Sequence, residues 1–180
     1  THLPPLVPVS SEKIVPSLLR NFSAPVILKD DSSSSERLHL MAHDVDMFNR
    51  WDAAQTLLVD QVLAIAHDPK YGVDETAAAA LARAYARSLT DPDLLDMFKS
   101  GLLTLPAISV LESQMKPADP VALFHARLAF EAVLGQMLAP QINSALTDET
   151  VATMAKTDGG RALLNRLLGL AIAAGDNAAI

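Results

Sequence analysis

The distribution of prolines is the feature that most constrains the fold of this chain. Five of its eleven prolines fall within the first thirty residues: Pro4, Pro5, Pro8, Pro16 and Pro25. Proline inside a helix removes a backbone hydrogen bond and clashes with the preceding turn, so no long helix is expected there. Beyond residue 30 the prolines are sparse and most stand close to predicted helix boundaries, which favours mainly helical structure.

Two short runs in the first part, KIVPSLLRNF and APVILK, are rich in strand-forming residues and contain or adjoin proline. Apolar and β-branched residues favour strands, and proline confines a strand to the edge of a sheet. The sequence therefore predicts one or two β-strands within residues 1–30. Two strands alone are marginal at best, so these need partner strands that the chain does not supply.

The polar run DDSSSS predicts a hinge, and helix boundaries are well marked after it. An aspartate can accept a hydrogen bond from a free backbone N–H at a helix start, and proline fits the first helical position. The predicted starts are Asp44, Asp74, Asp91–Pro92, Thr104–Pro106 and Asp119–Pro120. Apolar residues recur at helical steps from about 45 to 67 and from about 160 to 174. The segment from about 120 to 139 is apolar on more than one side and should be central, with Pro140 breaking or kinking it.

These signals predict seven or eight helices in residues 31–180, a helical domain incomplete at its C-terminal end. Short loops should make successive helices antiparallel neighbours, and no repeat of fixed period is visible. The expected fold is mainly α, an irregular α-solenoid-like helical stack preceded by one or two β-strands.

Charge and composition argue against several classes of partner. The chain has 14 basic and 21 acidic side chains, a formal charge of −7, so it lacks the basic excess that binds nucleic acid or anionic membranes. It has no cysteine and no apolar run near the ~18 residues that span a bilayer. The opening THLPPLVPVS shows neither a start methionine nor a signal peptide, which predicts a segment of a longer polypeptide. We expect a cytoplasmic protein with no nucleic-acid and no membrane partner.

His39 and His43 form the strongest candidate metal pair, because a four-residue spacing places both rings on one helical face. A zinc-peptidase helix reads H-E-x-x-H, and its Glu is the general base. Here Leu40 replaces that Glu, and only Asp44 or Asp46 could serve as a third ligand, after bending of the chain. We predict instead that His39 is exposed and that His43 ends one helix before Asp44 begins the next.

The remaining candidates have ordinary structural interpretations. Neither His2, His67 nor His125 is followed by Glu; we expect His67 at a helix end and His125 partly buried and hydrogen-bonded. Arg127 and Glu131 predict an ion pair within one helix. Further expectations are that Arg83 and Arg87 are solvated, that Trp51 lies in the core with Phe48, and that the DGG at 158–160 binds no phosphate. The predicted site residues are therefore none: no catalytic, cofactor-binding or metal-ligating residue.

Two stretches resemble a known family. VPSLLRNFSAPV, residues 15–26, and LMAHDVDMFNRWDAAQ, residues 40–55, are similar to bacterial aminopeptidase N, a zinc metallopeptidase of the gluzincin type. LTLPAISVLESQM, Asp119–Pro120 and GGRALLNRLLGLAIAAGD continue the likeness more loosely. The resemblance implies that residues 1–30 are the terminal strands of a β-sandwich domain and that residues 31–180 begin a helical C-terminal domain.

What the resemblance implies for function concerns the longer enzyme. The family's H-E-x-x-H helix, its later Glu and its G-x-M-E-N loop have no counterpart here, so zinc is expected in the parent protein and none in this fragment. We expect a non-catalytic fragment of a zinc aminopeptidase that removes N-terminal residues from peptides. Its helical part would wall the substrate chamber, and peptide substrates would be the partners of the parent. The alternative is a free-standing helical scaffold that binds a protein partner through a concave surface.

Overall fold

The computed structural model describes residues 14–22, 31–70 and 72–175, and these residues form eight α-helices. The helices are α1 (Ser34–His43), α2 (Met47–His67), α3 (Glu75–Thr90), α4 (Asp96–Leu103), α5 (Ile108–Gln114), α6 (Pro120–Ala145), α7 (Asp148–Met154) and α8 (Asp158–Ala174). A mainly α fold is thereby confirmed.

Strands are absent from the residues that the structure describes. Of the first predicted strand, Ile14 to Leu18 has no regular structure and Arg20–Phe22 forms a 3₁₀ turn, in which Asn21 has a φ of 56°. That run is therefore not a strand here, which fits its need for partner strands. The second run, APVILK, lies outside the described residues.

Several helix starts follow the predicted chemistry. Asp74 accepts hydrogen bonds from the backbone N–H groups of Thr76 and Ala77 at the start of α3. Asp119 does the same for Ala122, and Pro120 is the first residue of α6. Ser33, in the predicted hinge, begins α1 with a capping box that includes Glu36. These side chains satisfy backbone donors that have no partner inside the helix.

Two predicted starts are wrong because their side chains have other partners. Asp91 ends α3, and its carboxylate accepts the N–H of Asp93 and pairs with Arg50, so α4 begins only at Asp96. Thr104 ends α4, and its hydroxyl donates to the carbonyl of Ser100 at 2.8 Å. The next helix then begins at Ile108.

The helix α6 forms the centre of the fold, as its apolar composition predicts. It packs against α2, α3, α5 and α8, while α1 packs on α2 and α3, and α4 packs on α8. Phe130, Leu134 and Leu138 of α6 are fully buried. The prediction that successive helices are neighbours is wrong for α2 and α3, whose main contacts are with α1 and α6.

The helix does not break at Pro140 but continues to Ala145. Pro140 itself is exposed, whereas Ile142 in the following turn is 1% exposed, so packing of the last turns offsets the lost backbone hydrogen bond. Among the described residues α6 is also the one helix long and apolar enough to cross a membrane by length and composition. Its packing on four other helices identifies it as a core helix.

A buried polar cluster joins α6 to α8. Glu131 is 8% exposed and pairs with Arg166 of α8 and with Arg127 one turn earlier, at 3.6 Å. Arg166 also donates to the carbonyl of Leu103 at 2.9 Å, so α4 is tied to the same point. The predicted pair between Arg127 and Glu131 is therefore confirmed, and it belongs to a network that holds three helices together.

Candidate interdomain interface

The two histidines of the predicted metal pair lie on the last two turns of α1. Their rings stack with centroids 4.8 Å apart, and both residues are exposed. Burial, followed by the charges of Arg87, His39 and Arg50, lowers the pKa of His43. Nearby guanidinium groups that oppose protonation of His43 oppose a bound cation in the same way.

Neither possible third ligand is turned towards these histidines as a metal site would need. Asp44 and Asp46 are both buried and bonded to protein groups, as set out below. Across residues 14–22, 31–70 and 72–175, no group of three or more His, Asp or Glu side chains is placed to hold a metal. That the fragment binds no metal stays a prediction. As predicted, α1 ends at His43.

Asp44 and Asp46 have different roles at the junction of α1 and α2, where the sequence predicted that Asp44 begins the second helix. Asp44 ends α1 and its backbone N–H donates to the carbonyl of Leu40. The helix α2 begins instead at Asp46, which accepts the N–H of Asn49 at 3.0 Å. The prediction that Asp44 caps α2 is wrong, because its Oδ1 accepts the N–H of Asp46 and a guanidinium N–H of Arg20.

The carboxylates of these two aspartates also hold the segment that precedes the helices. Arg20 donates to Asp44 at 3.1 Å, and the backbone N–H of Asn21 donates to Oδ2 of Asp46 at 2.8 Å. On the same surface, the Asn49 side chain donates to the hydroxyl of Ser17 at 2.8 Å, and Arg20 donates to that hydroxyl at 3.0 Å. We call this set the anchor; its members are Ser17, Arg20, Asn21, Asp44, Asp46 and Asn49.

The environment of Asp44 favours its ionised form. Burial raises the pKa of this carboxyl, but hydrogen bonds from the Ser17 hydroxyl, the Asp46 N–H and Arg20, with the charge of Arg20, outweigh it and lower the pKa. The Asp44 side chain is 1% exposed, whereas that of Arg20 is 50% exposed. The anchor therefore contains a buried negative charge that depends on its bonded partners.

Arg50 extends this polar region into the helical core, and no sequence pattern predicted its role. The residue is 6% exposed and donates to the carbonyl of Met41 at 3.0 Å and to the hydroxyl of Ser88 at 2.9 Å. It also lies 3.5 Å from Asp91. One guanidinium thus joins the end of α1, the start of α2 and the end of α3. Its five fixed donors suit this role better than a lysine would.

A second surface, formed by the first turns of α2 and by α4, is apolar. It consists of Met47, Phe48 and Trp51 from α2 with Leu95, Met97, Phe98 and Gly101 from the start and body of α4, around a shallow groove of about 420 Å³. We call it the Trp51 patch. Trp51 is 39% exposed, Met97 is 54% exposed and Leu95 is 68% exposed. The prediction that Trp51 lies in the core is therefore wrong, and a contiguous exposed patch of this kind is typical of an interaction surface.

Outside the anchor, the other residues singled out in the sequence have structural roles. His125 is exposed and contacts the edge of Phe124, so its predicted partial burial is wrong. Arg83 and Arg87 are exposed, as predicted, and α2 ends at His67. The DGG forms the first turn of α8, where a Cβ on Gly160 would overlap the carbonyl of Met154. These glycines serve close packing of α8 on its neighbours.

The arrangement of helices defines a class: an irregular stack of short and long helices with the character of an ARM-repeat domain. Residues 34–180 match a family model described as "Domain of unknown function (DUF3458_C) ARM repeats". Because this match covers most of the chain, the chain belongs to the DUF3458_C family.

Sequence comparison with individual proteins gives a consistent result. A Caulobacter vibrioides protein named Aminopeptidase N is 37% identical over 163 residues, which are 86% of this chain and 18% of that protein. The Escherichia coli Aminopeptidase N is 31% identical over 71% of this chain and 15% of its own length. The chain thus spans less than a fifth of these curated relatives and is homologous to their C-terminal helical domain.

A solved structure shows the same fold. The crystal structure of Legionella pneumophila aminopeptidase A, in complex with aspartic acid, superimposes with a TM-score of 0.71 over 89% of this chain and 20% of that one. At 20% sequence identity the likeness concerns the arrangement of helices alone. The predicted resemblance to bacterial aminopeptidase N is confirmed.

Proposed function

We propose that this chain is a non-catalytic part of a zinc aminopeptidase that removes N-terminal residues from peptides. The observation that carries the proposal is the family match over residues 34–180, supported by two relatives named Aminopeptidase N. Since the chain spans 18% of the first of these, the zinc and the reaction are proposed for a longer enzyme.

The chemistry of the printed sequence supports a non-catalytic role. None of the five histidines is followed by Glu, so the chain has no H-E-x-x-H helix. Activation of water by zinc needs both the metal and a general base beside it. In this proposal those groups lie in another part of the enzyme, and the chain alone hydrolyses no peptide.

The anchor supports the further proposal that the helices wall the substrate chamber. A wall limits access only if it is held in a fixed position relative to the active site. Three hydrogen bonds join Ser17, Arg20 and Asn21 to side chains at the start of the helical domain, and two of the acceptors are buried carboxylates. Charge-assisted bonds of this kind are stronger and more directional than neutral ones.

The same proposal includes the partners and the location. Peptides would be the substrates of the longer enzyme, with neither nucleic acid nor membrane as a partner, and the location would be cytoplasmic. The net charge of −7 supports the first of these exclusions, because nucleic-acid affinity depends on a local excess of basic residues.

The alternative is a free-standing helical scaffold that binds a protein partner. The Trp51 patch is the observation that favours it, because an exposed groove lined by Met47, Phe48, Trp51 and Met97 resembles the apolar centre of a protein interface. The two candidates predict different effects of a mutation that breaks the anchor hydrogen bonds. In an aminopeptidase such a mutation should alter the hydrolysis of long peptides. In a scaffold it should leave partner binding at the Trp51 patch unchanged.

Two measurements test the proposal. The chain alone, with zinc added, should release no p-nitroaniline from leucine p-nitroanilide above the buffer rate, and zinc-dependent turnover would overturn the non-catalytic assignment. In a longer enzyme containing this chain, Asp46→Ala should change kcat/KM for long peptides relative to dipeptides. The exposed Asp93→Ala is the matched control. If Asp46→Ala leaves the length preference unchanged, the wall role is wrong.

A further inference from the structure

A cleft of about 510 Å³ lies where five helices converge. It is bounded by the end of α3, by α4, by the last turns of α6, by α7 and by α8. Cavities of 300 to 1,000 Å³ with an apolar lining and a few polar groups are typical small-molecule sites. The histidines, the anchor and the Trp51 patch do not contribute to it.

Lys99 is the unusual residue of this cleft. It lines the space and is 9% exposed, yet its ammonium group makes no hydrogen bond or ion pair with any residue that the structure describes. The aliphatic stem accounts for the burial, and the ammonium nitrogen keeps accessible surface at the cleft. The cleft therefore offers a positive charge that an anionic ligand group could pair with.

A second charge of opposite sign lies beside it. Asp96 lines the same cleft and precedes Lys99 by three residues, so both side chains lie on one face of α4. The two are not in an ion pair within 4.0 Å, and the structure shows no other partner for the Asp96 carboxylate among the described residues. An ammonium and a carboxylate held apart in one cleft complement the two charges of a zwitterion.

The rest of the lining is suited to an apolar side chain. Leu89, Met154, Leu163 and Leu167 form an apolar wall, and Gln141 and Ser144 add polar groups from α6. From this arrangement we propose that the cleft binds a free α-amino acid with an apolar side chain. Its carboxylate pairs with Lys99, its ammonium pairs with Asp96, and its side chain lies against the leucines.

The proposal of amino-acid binding is argued from the cleft residues alone, and it goes beyond the proposed aminopeptidase function. If both hold, the ligand belongs to the class of product that an aminopeptidase releases, and the helical part would sense that product. If the chain proves to be unrelated to peptide hydrolysis, the charges and apolar wall of the cleft still predict amino-acid binding.

The test is a titration of this chain with L-leucine, followed by two-dimensional NMR. Amide signals of residues 89–99, 140–145 and 163–167 should shift, with a Kd on the order of 1 mM for a ligand of this size. L-leucinamide lacks the carboxylate and N-acetyl-L-leucine lacks the ammonium, so each should bind at least about tenfold more weakly. Equal binding of both analogues and leucine, or no shift of these signals by leucine, would overturn the proposal.

Two substitutions test whether Lys99 and Asp96 pair with the charged groups of the ligand. Lys99→Met should weaken leucine binding at least about tenfold, and the exposed Lys156→Met, which changes the net charge equally, should leave it unchanged. Circular dichroism establishes that each variant is folded. Should Lys99→Met fail to fold, Asp96→Asn decides: it should weaken leucine binding and leave the affinity for N-acetyl-L-leucine unaltered. Leucine binding that survives Asp96→Asn at full strength would contradict the zwitterion assignment.

Discussion

Gly135 of α6 lies directly against the backbone carbonyl of Leu170 of α8, so that a Cβ at residue 135 would overlap this oxygen. The contact lets the two helices approach closely along the centre of the fold. We predict that Gly135→Ala destabilises the chain by about 2 kcal/mol, because a backbone oxygen cannot move aside as a side chain can. For a chain of this size the melting temperature should fall by roughly 4–8 °C.

The matched control is Gly101→Ala. Gly101 is also helical, in α4, but a Cβ there would meet nothing within 4 Å. Alanine in an open helical position should stabilise by up to about 1 kcal/mol, since it lowers the entropy of the unfolded chain. Thermal unfolding by circular dichroism should move the two variants in opposite directions, and a loss of stability in both would contradict the close-contact explanation.

Arg166→Gln should cost about 3 kcal/mol of the free energy of unfolding. The side chain is 14% exposed and pairs with Glu131, and removing one partner leaves a buried charge without full compensation. Arg83→Gln changes the same residue type at an exposed position on α3 and should stay within about 0.5 kcal/mol. Urea denaturation of both variants gives the comparison, and similar losses in the two would show that the α6–α8 network contributes little.

Acid should weaken the anchor through Asp44. Its pKa is lowered in the folded state, so the unfolded chain binds the proton more readily. The stabilisation is therefore complete above the unfolded value of about 3.9 and is lost as the pH falls through the lower folded value.

The measurement is urea unfolding across pH 7 to 3 for the unaltered chain and for Asp44→Asn. The variant should be less stable by about 1–2 kcal/mol at pH 7, with the difference narrowing towards pH 3. Asp93→Asn, at an exposed position, should show a difference near zero throughout. A gap between Asp44→Asn and the unaltered chain that is constant with pH would refute the linkage to this carboxyl.

Trp51→Gln should change stability by less than about 1 kcal/mol, because the side chain is on the surface patch and 39% exposed. Leu58→Ala, seven residues later on α2 and fully buried, should cost about 2–5 kcal/mol. Chemical denaturation of both variants checks this contrast. If Trp51→Gln lowers the free energy of unfolding as much as Leu58→Ala does, Trp51 is a core residue and the surface assignment is wrong.

Trp51 and Phe130 show how well burial could be predicted from the sequence. The apolar stripe of residues 45–67 predicted Trp51 as a core position. The all-round apolar composition of residues 120–139 predicted a central helix, in which Phe130, Leu134 and Leu138 are buried. Periodicity identifies an apolar face but not which surface covers it. The face of α2 that carries Trp51 is left uncovered by the described residues, and no pattern within the sequence distinguishes it from a core face.

Local capping chemistry had a similar limit. Asp44 and Asp46 can both cap a helix that begins near residue 46, and only the approach of Arg20 and Asn21 from 24 and 25 residues away decides between them. Arg50 was missed for the same reason, since its partners Met41 and Ser88 come from two other helices. Interactions within one turn can be predicted from sequence, whereas those between distant segments depend on the finished packing.

The position of α8 against α6 has a consequence for synthesis. The face of α6 that carries Gly135 packs against α8, whose last residue, Ala174, is made 29 residues after the end of α6 at Ala145. At translation rates of about 5–20 residues per second, this takes roughly 1.5–6 s. During that interval this face of α6 lacks its α8 neighbour, and a stalled or truncated product without α8 would be a natural target for chaperones and proteases.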